Sequence, residues 1–200
     1  MENIKDKKEF IKEHITLSIN TKKEILGNSK LIQDIFHVSQ SCLKAYQNGK
    51  KIILAGNGGS AADAQHIAAE FVSRFKFDRP GLSSIALTTD TSMLTAIGND
   101  YGYEQVFARQ LQANGNKGDI LIAISTSGNS KNIIKLVEAA KSMKIHSVGF
   151  TNNDGGKLKG MCDICLSVPY NETAIVQESH IMFGHIICGY VEEMYFKEFK

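Results

Sequence analysis

Five short apolar runs do most to limit what this chain can fold into: KIILAG (51–56), SSIALT (83–88), DILIAIS (119–125), HSVGFT (146–151) and DICLSV (163–168). A strand with one wet face alternates apolar and polar residues. These runs are apolar almost throughout, as suits strands covered on both faces. Helical patterns fill the intervals, at about 60–76, 90–97, 103–113 and 130–142, and one long helix is expected from about 173 to 200. Strands and helices in alternation predict an α/β fold: a five-stranded parallel sheet flanked by helices on both faces. In such sheets ligands bind beyond the C-terminal ends of the strands.

The first 48 residues contain no strand-like run. Phe10, Ile11, His14, Ile15, Leu17 and Ile19 make one helical stripe, and Leu31, Ile32, Ile35, Phe36, Val38, Leu43 and Tyr46 make a second. Gly27-Asn28-Ser29 separates them with a C-cap and an N-cap. This N-terminal helical hairpin must bury its stripes on the rest of the chain or on another subunit. The 200 residues fit a single domain, 1–200.

Charge excludes some classes of partner. With 23 basic and 21 acidic residues the net charge is +2, which gives neither a nucleic-acid footprint nor attraction to a membrane. MENIKDKKEF lacks the apolar core of a signal peptide, and IMFGHIICGYV (181–191) is too short to span a bilayer, so a cytoplasmic protein is expected. Cys162 and Cys165 form a C-x-x-C within MCDICLSV. Read as a strand, that segment turns the two thiols to opposite faces. With Cys42 and Cys188 they are expected to be buried free thiols, as suits a reducing compartment.

The strand ends carry the small polar residues. Gly56-Asn57-Gly58-Gly59-Ser60 follows the first run, and Ser125-Thr126-Ser127-Gly128-Asn129-Ser130 follows the third. Each leads into a helix, where free N–H groups and the helix dipole favour an anion. Two such turns on neighbouring strands, with their hydroxyls, point to one phosphate group; ordinary N-capping is the alternative. The first turn also fits a dinucleotide fingerprint, Gly56-x-Gly58-x-x-Ala61, with Asp90 as its acidic residue, but that reading leaves the serine-rich turn unexplained. His66 and Glu70 share a helix face. In the last helix Gln177, His180 and His185 interrupt an apolar sequence. His66, Glu70 and His185, with Gln177 or His180, would suit zinc, and spacing does not choose between His180 and His185.

GNGGSAADAQHIAAE, AIGNDYGYE, ISTSGNS, NDGGK and QESHIMFGH together resemble the sugar isomerase (SIS) domain family, and within it the phosphoheptose isomerases. The likeness covers nearly the whole chain. It implies a SIS fold and an aldose–ketose isomerase that converts sedoheptulose 7-phosphate to D-glycero-D-manno-heptose 7-phosphate, for lipopolysaccharide core or capsule. It implies that Ser60, Ser125, Thr126, Ser127 and Ser130 bind phosphate, and that Asn57, Gly58, Gly59, Asn99, Asp100, Glu70 and Gln177 contact the sugar. His66, Glu70, Gln177 and His185 match the ligands of one Zn2+ per subunit, and Glu70 and His185 the acid–base pair. A homotetramer with active sites at subunit interfaces is also implied. One departure is Ile175, where the family often carries arginine. The alternatives are an isomerase for another phosphosugar and a non-catalytic SIS module of the kind that assists a replication initiator. The latter need not keep Glu70 and His185, which this chain has.

Overall fold

The computed structural model describes residues 4–197. Two helices come first, α1 (Ile4–Gly27) and α2 (Ser29–Gln47). Asn28 makes the break: its Oδ1 accepts from the Leu31 N–H at 3.0 Å, capping α2. Then follow β1 (Ile52–Gly56), α3 (Gly59–Val72), β2 (Ser84–Ala86), α4 (Thr91–Tyr101), α5 (Val106–Asn114), β3 (Ile120–Ile124), α6 (Lys131–Ser142), β4 (His146–Thr151), β5 (Ile164–Ser167) and α7 (Thr173–Tyr195). Short 3₁₀ turns at Tyr103–Gln105 and Lys157–Gly160 complete the chain.

All five strands are parallel, in the order β2-β1-β3-β4-β5. Every residue of β1 and β3 is buried, as their unbroken apolar sequences require. Ile52, Leu54, Ile122, Val148, Phe150 and Leu166 face α2, α3 and α7. Ile53, Ala55, Leu121 and Ala123 face α5 and α6. The direction of winding reverses between β1 and β3, so the crevice that binds ligands in doubly wound sheets lies between the turns that follow them.

Three expectations are corrected. The helix expected over 60–76 stops at Val72, because the Arg79 guanidinium takes the carbonyls of Glu70, Phe71 and Ser73. The last helix ends at Tyr195; residues 198–200, like 1–3, lie outside the described residues. Cys162 and Cys165 do not face opposite ways. Cys162 precedes β5, where strand alternation does not apply, and a Cβ on Gly149 would stand 3.1 and 3.4 Å from the two sulfurs. All four cysteines are free, with Cys42 and Cys188 buried but Cys162 and Cys165 only half-buried.

Helix α1 is lightly embedded. Thr21 and Ile25 are buried, and a polar clasp ties α1 to α7: Ser18 and Lys22 donate to the Glu178 carboxylate. Phe10, Ile11, Ile15 and Ile19 remain exposed, at 71, 57, 53 and 48%.

Candidate active site

The two glycine- and serine-containing turns stand side by side at the ends of β1 and β3. Gly58 takes a left-handed conformation (φ 55°) that turns the chain into α3, and a side chain there would be strained. No side chain caps α3 or α6, although serines are at hand at both. The hydroxyls are not used up in capping, which is the alternative the sequence left open. The Ser125 and Ser130 hydroxyls stand 3.0 Å apart, and Ser60 and Ser125 are buried at the roots of the turns. Thr126 and Ser127 form the rim of the second turn.

The turns are braced from two sides. Asn57 and Asn132 exchange amide hydrogen bonds, both 2.9 Å, joining the first turn to α6. The Tyr103 hydroxyl donates to Asn57 Oδ1 at 3.2 Å. NDGGK supports the second turn: the Leu158 N–H donates to the Gly128 carbonyl, and the Lys157 N–H to Asn129 Oδ1. Asn132 and Tyr103 were missed from the sequence. An asparagine in the first turn of α6, a residue type that competes with the helix backbone, was the available signal.

A second constellation lies where α3 meets α7. His66 Nε2 is 3.1 Å from Glu70 Oε1 and 3.1 Å from His185 Nε2. One ligand atom from each of the three residues falls within 4.8 Å of the others. Hydrogen bonding does not explain this convergence well, since both contacts compete for a single His66 nitrogen. Three lone-pair donors brought this close together could hold a small divalent cation. Asp63, one turn before His66, was not anticipated: burial pushes its carboxyl up to about 6, and its Oδ2 is buried without a hydrogen-bond partner.

The remaining expected residues fall in different places. His180 lies in the core against Phe150 and Phe183, with its Nε2 donating to the Thr151 carbonyl at 3.1 Å. Burial lowers its pKa to about 4. Gln177 reaches the first turn of α3: a Cβ on Gly59 would stand 2.6 Å from its Nε2. Gly59 opens α3, so the Gln177 amide lies against the glycine turn, about 10 Å along the helix from the level of His66. Asn99 and Asp100 are exposed at the end of α4 and hydrogen-bond to each other at 2.8 Å. Asp90 caps α4 through the Met93 N–H, which leaves the dinucleotide reading without its acidic residue. Ile175, the position at which the family resemblance led to an expected arginine, is fully buried.

The sequence pattern of the SIS domain matches residues 20–152, two-thirds of the chain. The chain belongs to the SIS domain family. Within this family it is 62% identical over 189 residues to a phosphoheptose isomerase of Aneurinibacillus thermoaerophilus, covering 94% of this chain and 96% of that one. It is 59% identical to phosphoheptose isomerase 2 of Campylobacter jejuni, covering 98% and 96%. Its fold superposes on the phosphoheptose isomerase of Neisseria gonorrhoeae with a TM-score of 0.87 at 43% identity, over 93% of this SIS chain and 98% of that one. Among the described residues no helix is long and apolar enough to cross a membrane.

Proposed function

We propose that the protein is a phosphoheptose isomerase, interconverting sedoheptulose 7-phosphate and D-glycero-D-manno-heptose 7-phosphate. The observation that carries the proposal is the meeting of His66, Glu70 and His185 in a chain that also keeps both phosphate turns. The turns alone would serve a binding module; the second constellation supplies chemistry.

In the proposed mechanism the phosphate lies on the N–H groups that open α3 and α6, with Ser60, Ser125, Thr126, Ser127 and Ser130 donating to its oxygens. Binding far from the reacting carbons orients the sugar chain. Asn57, the backbone of Gly58 and Gly59, and Gln177 meet the sugar hydroxyls. Of the two roles the family resemblance implies for Gln177, its place over Gly59 favours this one. Asn99 and Asp100 complete the sugar site. Glu70 carries the proton between C1 and C2 through an enediol, and His185 serves the adjoining oxygens.

Zinc is the proposed ion. Atoms held 2.0–2.1 Å from a tetrahedral zinc stand about 3.3 Å apart, close to the 3.1 Å contacts of His66. Bound by His66, Glu70 and His185, zinc would supply Lewis-acid polarisation of the substrate carbonyl.

Ser60 and His66 are separated by about 9 Å along α3 and by roughly a third of a turn around it, so turns and cluster face different ways within one chain. That separation, and the bare face of α1, support a homotetramer with active sites at subunit interfaces. A cytoplasmic location, with no nucleic-acid or membrane partner, accompanies the proposal.

Proton NMR of the protein with sedoheptulose 7-phosphate in deuterated water tests the reading. The expected result is an aldose anomeric signal with deuterium at C2. Glu70→Gln and His185→Ala should each slow its appearance by about 10²–10⁴-fold. No conversion by the metal-loaded protein would leave the binding-module reading in front.

A further inference from the structure

We infer that the buried ion pair Arg79–Glu192 positions Glu70 and His185 relative to each other, an inference that rests on the isomerase reading above. Arg79 lies in the segment after α3, and Glu192 lies near the end of α7. Arg79 Nε donates to Glu192 Oε1 at 2.9 Å, and both side chains are 1% exposed. The rest of the guanidinium is spent on backbone. Its Nη2 donates to the Glu70 carbonyl at 2.8 Å, and its Nη1 to the carbonyls of Phe71, Ser73 and Pro80 at 2.6, 3.0 and 3.1 Å. The Glu70 and Phe71 carbonyls belong to the last turn of α3 and the Ser73 carbonyl lies just past it; the Leu82 N–H also donates to the Phe71 carbonyl. The guanidinium therefore grips the backbone of the residue whose carboxylate is proposed to move the substrate proton.

Glu192 reaches the other catalytic side chain. Its two oxygens accept from the N–H groups of Phe75 and Lys76 at 2.8 and 2.7 Å. The Phe75 ring, fixed in this way, lies against the His185 imidazole with centroids 5.5 Å apart. It fits there because residue 189, one turn beyond His185, is glycine: a Cβ would stand 3.2 Å from Phe75 Cε1. One ion pair thus joins the end of α3 to α7 and touches both sides of the His66–Glu70–His185 cluster.

Stability alone is a weak reason for such a pair, because desolvation offsets most of its attraction. Groups that orient metal ligands and catalytic side chains typically change affinity or rate 10–100-fold when altered. Arg79, Glu192 and Phe75 are positioning residues in this sense; none touches the reacting atoms.

The test uses the full chain with Arg79→Lys, Glu192→Gln and Phe75→Leu. Leu136→Ala, on the far side of the sheet, serves as an equally buried control. Metal-free protein is titrated with Co2+ and followed by visible absorption; kcat, KM and denaturant stability are measured alongside. Each of the three variants is expected to bind Co2+ about 10–100-fold more weakly, with an altered spectrum, and to lose kcat more than it changes KM. Leu136→Ala is expected to lose stability while keeping wild-type affinity and spectrum. If Arg79→Lys does not fold, Phe75→Leu decides, since it leaves the ion pair intact. Variants whose Co2+ affinity, spectrum and kcat match wild type, or change only as Leu136→Ala does, overturn the inference. Wild-type protein that neither binds Co2+ nor isomerises the sugar overturns the isomerase reading instead.

Discussion

His180 and His185 lie on one helix, and their environments separate them completely. His180 is sealed against Phe150, while His185 stands at the α3–α7 cleft. A histidine whose folded pKa falls from 6.5 to about 4 binds its proton in the unfolded chain first. Its contribution to stability is therefore fully present above pH 6.5 and is lost as the pH falls toward 4. Urea unfolding of wild type and His180→Gln should show the wild-type advantage shrinking by roughly 3 kcal/mol across that window. A constant difference would mean that His180 binds its proton alike in the folded and unfolded chain. Spacing could not separate the two histidines, because burial is decided by which face of α7 meets the sheet. His66 and Glu70 were easier to read, since their spacing alone puts them on one face of one helix. Asp63 left no sequence signal: its burial arises from packing, not from local pattern.

Helices α3 and α7 carry the His66, Glu70 and His185 cluster, and their close approach depends on Gly184. A Cβ there would stand 2.4 Å from Ile67 Cδ1, and Ile67 is fully buried. Gly184→Val should push the helices apart, cost about 1–3 kcal/mol of stability, and separate His185 from His66. Adding Ile67→Ala should recover part of both losses, as a double-mutant cycle would show. If the two substitutions are simply additive, the helices are not held apart at this point. The elements themselves were largely legible: unbroken apolar runs gave strands, and Asn28 and Asp90 marked helix starts. Element ends set by distant partners were not. Nothing local in residues 73–76 stops α3; Arg79 and Glu192 do so across a long stretch of sequence. Gln177 likewise needed the packing of α7 on α3 before its place over Gly59 was visible.

For the whole molecule, alternating strands and helices announced a parallel sheet, but the order β2-β1-β3-β4-β5 comes only from the three-dimensional structure. The bare stripe of α1 is the feature the single chain leaves unexplained, since a row of large exposed apolar residues marks an interaction surface. Ile11→Asp with Ile15→Asp should shift the mass seen by light scattering from four chains toward one and remove activity together with assembly. Wild-type protein that scatters as one chain would rule out the shared-site proposal. The openings of α3 and α6, which no side chain caps, have a further consequence. On the proposed function an anion completes these turns, so the substrate becomes part of what holds the protein together. Inorganic phosphate at a hundred times its dissociation constant should add about 2.7 kcal/mol, raising the melting temperature by roughly 5–10 °C, whereas chloride at equal ionic strength should not. In a cell, the lifetime of such a protein against proteolysis would rise and fall with the supply of sugar phosphate.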